Sequence, residues 1–331
     1  MKNLNYRDVI TIESLFQAWD EFKKGKRKKW DVQLFERHLE DNIFTLNWRL
    51  TKKIYRHAPY TAFNIYDPKF RHIHKATVAD RIVHHALVSK IEPIFDKGFI
   101  YDSYSCRKNK GTHMAVKRLA VFIRKVSRNY TGECFCLKLD IKKFFESIDH
   151  EILLSLIKKK LEDQDLIWLL TNILKSFSLI KGIPIGNLTS QIFANIYLNE
   201  LDHFIKHKLG IKYYIRYADD FVILSDDKLC LETLVPRIAE FLKEKLDLSL
   251  HPNKILIRKY TQGIDFLGYI VLPNYILPRT KTKKRIFKKL KELISSASFD
   301  QSLQSYLGYL SHANSYRIDQ QLKNMSWFLI E

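Results

Sequence analysis

Two adjacent aspartates, Asp219 and Asp220, stand between two apolar stretches, residues 213–217 and 221–224, whose length and spacing predict the strands of a hairpin. No other feature restricts the fold as much. Like charges beside a hydrophobic sheet repel and lose solvation, so something cationic must hold them. A third acid, Asp140, ends another apolar run, 134–140, and neighbouring strands of one sheet would bring all three carboxylates to one edge. Hard oxygen ligands on one edge suit Mg2+, and two such ions about 3.5–4 Å apart activate a 3′-hydroxyl and stabilise a leaving pyrophosphate. Taken alone, the pair has a plain alternative, because aspartates also form ordinary turns.

The charge balance points the same way. In 331 residues, 56 Lys and Arg against 36 Asp and Glu leave a net charge of +20, which calls for a polyanionic partner. Cys106, Cys134, Cys136 and Cys230 have neither paired spacing nor a matching histidine pattern, so no disulfide framework or zinc site is expected and a reducing cytoplasm fits. His72 and His74 alternate along a strand and His84 and His85 are helix neighbours, again without metal-ligand spacing. The first residues are polar, and the apolar stretch 166–180 is interrupted by Thr171, Asn172 and Lys175, so no membrane segment is expected.

Helical periodicity appears at Ile12, Leu15, Phe16, Trp19 and Phe22, and again over 31–52. Between them the basic run 23–29 reads either as a solvated turn or as a phosphate contact. Residues 60–74 predict a hairpin around Asp67-Pro68-Lys69, followed by a helix through Ile82, Val83, Ala86, Leu87 and Ile91 that Pro93 bends or ends near Glu92. Further helices are expected from Gly111-Thr112 to about Val126, over 166–177, from Thr189 and over 231–246. From Arg279 to Lys291 eight of thirteen residues are basic, with Ile286, Phe287 and Leu290 as an apolar stripe. That stripe reads as a phosphate track or as a solvated helix face.

The motifs in order resemble those of reverse transcriptases. Leu139-Asp140-Ile141-Lys142-Lys143-Phe144-Phe145 is similar to their motif A, Gly182-Ile183-Pro184-Ile185-Gly186-Asn187-Leu188-Thr189-Ser190-Gln191 to motif B and Tyr217-Ala218-Asp219-Asp220 to motif C. His251-Pro252-Asn253-Lys254 resembles motif D and Phe266-Leu267-Gly268-Tyr269 motif E. The fold this implies is α+β: a right-hand polymerase with fingers, a palm whose antiparallel sheet is backed by helices, and a short helical thumb. The implied division is a helical N-terminal extension over 1–58, fingers and palm over 59–270, and a basic thumb over 271–331.

The resemblance also implies roles. Asp140 and Asp219 would ligate two Mg2+ ions, with Mn2+ as the alternative, together with the Ile141 carbonyl and a supporting Asp220. Lys254 would be a general acid or simply an exposed lysine; Phe145 a steric gate favouring dNTPs or a core residue. Lys69, Arg71, Lys75 and Arg81 would close on the triphosphate, and Gly186 and Gln191 of motif B would also contribute to nucleotide binding. Motif B carries Pro184-Ile185-Gly186-Asn187 where group II intron enzymes usually have a Pro-Gln-Gly-Gly type, and the chain ends at Glu331, so a full intron maturase is not expected; the retron elements are missing too.

Motif B, with the segments 80–87, 103–113 and 308–314, is instead similar to the diversity-generating retroelement branch. Members of that branch are bacterial or phage-encoded enzymes that copy a template-repeat RNA into cDNA with errors opposite adenine, usually beside a small basic accessory variability protein. Ile185 cannot hydrogen-bond near the nascent pair as a Gln would; it either relaxes geometric checking or merely packs. Defence-associated or retron-like enzymes, and a catalytically silent RNA-binding relative, are the other readings.

Overall fold

The computed structural model describes residues 4–66, 69–294, 296 and 298–327, so Asp67 and Pro68 of the expected hairpin turn lie outside the described residues. The chain is α+β with antiparallel sheets. It divides into two compact units, one built from Met1–Cys106, Ile141–Gly210 and Ile238–Leu250, the other from Arg107–Asp140, Ile211–Arg237 and His251–Glu331.

In chain order the first unit begins with α1 (Tyr6–Ile10), α2 (Ile12–Lys23), α3 (Trp30–Arg37), α4 (Leu39–Thr51), the hairpin β1 (Thr61–Ile65) and β2 (Arg71–Lys75), and α5 (Val78–Asp96). The second unit opens with α6 (Thr112–Val126) and β3 (Phe135–Asp140). Back in the first come α7 (Phe144–Ser147), α8 (His150–Lys158), α9 (Gln164–Lys175) and α10 (Leu188–His203). There follow β4 (Tyr214–Tyr217), β5 (Asp220–Ser225), α11 (Lys228–Leu246) with parts in both units, β6 (Leu256–Lys259), β7 (Ile264–Phe266), β8 (Tyr269–Leu272) and β9 (Tyr275–Pro278). Helices α12 (Thr280–Glu292), α13 (Phe299–Leu310) and α14 (Tyr316–Trp327) close the second unit. No helix among the described residues is long and apolar enough to cross a membrane.

The second unit is organised by a four-stranded sheet in the order β4-β5-β3-β6, every neighbour antiparallel. Cys136, Leu137 and Leu139 of β3 and Phe221, Val222, Ile223 and Leu224 of β5 are buried, each large apolar side chain contributing about 1.5–3 kcal/mol. Helix α6 packs on β4 and β5 through a face that includes Ala115, Leu119 and Phe122. In the three-stranded sheet β7-β8-β9, Phe266 pairs with Tyr269 across the two-residue turn Leu267-Gly268, whose φ values of +50° and +92° are those of a tight hairpin turn. Helices α12, α13 and α14 share a separate core of Ile286, Leu290, Phe299, Leu303, Leu310 and Leu322.

In the first unit α5 is the central helix, flanked by α2 and α10, and Thr77 caps it by accepting from the Asp80 N–H. Two expectations are corrected here. The periodicity over 31–52 is not one helix: α3 stops at Arg37 and α4 starts at Leu39, because His38 takes φ −124° and the Asn42 amide donates to the Phe35 carbonyl at 3.1 Å. Pro93 does not end α5, which runs on to Asp96, since a proline in a last turn forfeits only one helix bond.

Histidines set the acid sensitivity of this unit. His84 is buried, and its Nε2 lies 3.2 Å from His57 Nε2. Burial, then the His57, His85 and Arg81 charges, hold His84 well below the usual imidazole range. Burial and the nearby Lys26 and Arg81 push His85 down to about 4, against a smaller opposing pull from Glu21. Unfolded histidine titrates near 6.5, so between that pH and about 4 the unfolded chain binds more protons and stability falls as the pH falls. Denaturant titrations at pH 7 and pH 5 are expected to show an acid loss that His85→Gln reduces by about 1 kcal/mol, after allowance for partial exposure of the ring.

Candidate active site

The strand register assembles the carboxylates. Asp140 at the end of β3 is the direct partner of Asp220 at the start of β5. Directly opposed residues share a face with Cβ atoms about 4.5–5.5 Å apart, so both carboxylates leave the sheet on the same side. Asp219 lies one residue earlier, in the turn Ala218-Asp219 that joins β4 to β5 beside the Tyr217 and Asp220 pair. Ala218 takes φ +53°, a region L-residues seldom enter, and the fully buried Arg216 donates to its carbonyl at 3.3 Å.

Two lysines balance the acids. Lys138 precedes Asp140 by two residues, so it shares that face and reaches diagonally to Asp220 at 3.3 Å. The same ammonium donates to the Asp265 carbonyl at 3.0 Å. Lys254, in the short turn Pro252–Lys254, donates to Asp140 Oδ1 at 2.8 Å. That turn is tied to β3 by the His251 N–H, which donates to the Asp140 carbonyl at 2.8 Å. Burial pushes the Asp220 carboxyl up to about 6, with Lys138 opposing and the Asp140 and Asp219 charges adding to the rise.

These groups have the chemistry of a divalent-cation site. Asp220 Oδ1 is a buried acceptor with no protein partner, which a hard cation would complete. Among the described residues no three His, Cys, Asp or Glu side chains converge into a ligating group of their own. A Mg2+ ion does not require that, because it is commonly held by one or two carboxylates with substrate phosphates supplying the rest. Ile141 forms an isolated bridge with Leu250, flanked by the bond from Lys142 N–H to the Ser249 carbonyl at 2.9 Å, which leaves its own carbonyl outside that pairing.

The remaining sequence candidates lie in the first unit. Phe144 takes the core position and Phe145 is half-buried, their rings 5.5 Å apart. The Phe145 carbonyl accepts from the Ile183 N–H at 2.8 Å, and His150 Nε2 meets the Gly182 carbonyl at 2.7 Å, so the motif B turn lies against the residues that follow motif A. Ile185 is half-buried, Gly186 is exposed with φ +111°, and Gln191 is exposed in the first turn of α10. Lys69 and Arg71 are exposed on the hairpin. Lys75 and Arg81 are not free cations: one Asp31 oxygen accepts from both, at 2.8 and 2.7 Å, and although burial opposes it, the pair holds that carboxyl below its ordinary range. Arg81 also lies over the Phe22 ring at 4.6 Å.

Lys138 is absent from the sequence candidates, although its position two residues before Asp140 in an alternating strand marks it as facing the acids. Asp31 is absent from them too, since no local pattern links it to residues 75 and 81. Lys138→Met keeps the apolar stem and removes the charge. Stability should fall by about 1–3 kcal/mol at pH 7 and by much less at pH 5, where Asp220 holds a proton; chemical denaturation at the two pH values checks this.

The sequence pattern of the reverse transcriptase (RNA-dependent DNA polymerase) family matches residues 66–271. The chain is 24% identical to the putative COX1/OXI3 intron 2 protein of Saccharomyces cerevisiae, over 87% of this chain and 41% of that protein. It is 25% identical to the group II intron-encoded protein LtrA of Lactococcus lactis subsp. cremoris, over 78% of this chain and 53% of that one. The chain thus spans about half the length of these curated relatives. Among solved structures it is similar to telomerase from Candida albicans in complex with a TWJ fragment of telomeric RNA, with a TM-score of 0.51 and 12% identity over 84% of this chain and 61% of that one. That likeness bears on the fold alone, and it agrees with the expected α+β polymerase architecture. With more than half of its length matched to the family, this chain belongs to the reverse transcriptases.

Proposed function

We propose that the chain is an RNA-directed DNA polymerase that copies a template-repeat RNA into cDNA, with errors concentrated at template adenines, for mutagenic retrohoming of a diversity-generating retroelement. The polymerase reading is carried by the pairing of Asp140 with Asp220, and Asp219 beside them, in a chain of this family. Reverse transcriptases generally use divalent metal ions. Here two Mg2+ ions, or Mn2+, would be held by Asp140 and Asp219, the Ile141 carbonyl and the supporting Asp220. Such ions, when bound, supply activation of the primer 3′-hydroxyl and charge neutralisation at the leaving pyrophosphate.

The other groups act on the nucleotide and the nucleic acids. Lys254 keeps Asp140 oriented through their 2.8 Å bond and delivers a proton to pyrophosphate. Lys69 and Arg71, exposed on the hairpin, grip the triphosphate; Lys75 and Arg81, anchored on Asp31, add positive potential. Phe145 excludes the ribose 2′-hydroxyl, and Ile185, with Gly186 and Gln191, lines the nascent pair without a polar check. The face of α12 that carries Lys283, Lys284, Phe287, Lys288 and Lys291, with Glu292 at its end, suits the phosphates of an RNA/cDNA duplex. The division into an extension over 1–58, fingers and palm over 59–270 and a thumb over 271–331 belongs to the same proposal, as does a small basic accessory variability protein.

The intron-encoded relatives favour a second reading, a reverse transcriptase of an intron-encoded element without the adenine-directed errors. Primer extension on an RNA template, followed by sequencing of the cDNA, separates the two. Asp219→Ala should abolish dNTP incorporation; retention of wild-type incorporation would remove the metal role. Ile185→Gln should lower misincorporation opposite template adenine several-fold, and a low adenine error rate already in the wild type would favour the second reading.

A further inference from the structure

Both main-chain groups of a single residue in β2 are taken by the motif B turn. In the antiparallel hairpin His74 is opposite Ala62, and its outward edge would otherwise present an open N–H and C=O. The His74 N–H donates to the Ile185 carbonyl at 3.0 Å, and the Asn187 Nδ2 donates to the His74 carbonyl at 2.8 Å. Between these two bonds sits Gly186, with φ +111°, where a Cβ would come within 2.8 Å of the Ile73 Cγ2. Only glycine allows the turn to lie this close to the strand. Asn187 is 2% exposed and its Oδ1 has no partner, so the bond its Nδ2 donates to His74 is what offsets the burial of the amide.

We propose that Asn187 is a positioning residue that locks the motif B turn to the fingers hairpin, so that Ile185 moves with Lys69 and Arg71. This rests on the polymerase reading above, in which Ile185 faces the nascent pair and the hairpin cations grip the triphosphate. Closure of the hairpin on a matched nucleotide then carries Ile185 into place. With the clamp broken, the hairpin closes without setting residue 185, and matched and mismatched nucleotides are told apart less well. Asn187 touches neither reacting atoms nor substrate in this account.

The test is steady-state single-nucleotide incorporation on an RNA template by the full chain, comparing matched with mismatched dNTP. Asn187→Asp is nearly isosteric and replaces the donor by an acceptor facing the His74 carbonyl. Its KM for the matched dNTP should rise about five- to tenfold with kcat little changed, the value of one hydrogen bond. The KM for the mismatched dNTP should move less, so discrimination falls by a similar factor. Asn172→Asp is the control, since Asn172 donates in the same way to the Tyr55 carbonyl at 2.7 Å, away from motif B. That variant should lose thermal stability while keeping wild-type KM and discrimination. If Asn187→Asp behaves like the control, the clamp is structural only and the inference falls. If the wild type incorporates no dNTP with Mg2+ or Mn2+, it is the polymerase reading that fails.

Discussion

The repulsion among Asp140, Asp219 and Asp220 is the constraint around which the four-stranded sheet is organised. Three acids at one sheet edge are unfavourable unless cations reach them, and Lys138 and Lys254 are placed to do so by the strand alternation and by the turn that the Asp140 carbonyl anchors. Arg216 adds a buried guanidinium under the Ala218 carbonyl. Asp220 nevertheless keeps a buried oxygen without a hydrogen-bond partner, and burial pushes its carboxyl up to about 6. Such an oxygen has the chemistry of a hard-cation ligand.

In the first unit the organising interactions are hydrogen bonds and ion pairs between segments distant in sequence. The segment 182–187 bonds to the residues after motif A through Gly182 and Ile183, and to β2 through Ile185 and Asn187. Asp31 extends the set by joining α3 to Lys75 and Arg81. Elements far apart in sequence are thereby held as one hydrogen-bonded group. The cost of Gly186 at positive φ is small beside the clash that any larger residue would meet there.

Much of this was legible in the sequence where local pattern and chemistry coincide. Asp219 and Asp220 interrupt an apolar alternation, so a hairpin with acids at its turn follows from residue order alone, and the observed strands begin and end within a residue of that reading. The break at His38 was hidden because the apolar spacing continues through it, whereas the stop shows only in the His38 backbone and in the Asn42 amide on the Phe35 carbonyl. Pro93 misled for the opposite reason: a strong local signal carries little weight in a terminal turn. The capture of Lys75 and Arg81 by Asp31 is a tertiary event across some fifty residues, with no trace in any single segment.

The proposed polymerase function requires the sheet-edge carboxylates to take up divalent ions when a nucleotide is present. Electron paramagnetic resonance of Mn2+ titrated into the full chain with a dNTP and a primed RNA template measures this directly. Saturable uptake that Asp140→Ala reduces at least tenfold, with the fold intact by circular dichroism, is the predicted result. Uptake of equal affinity and number in that variant, or none by the wild type, would contradict it.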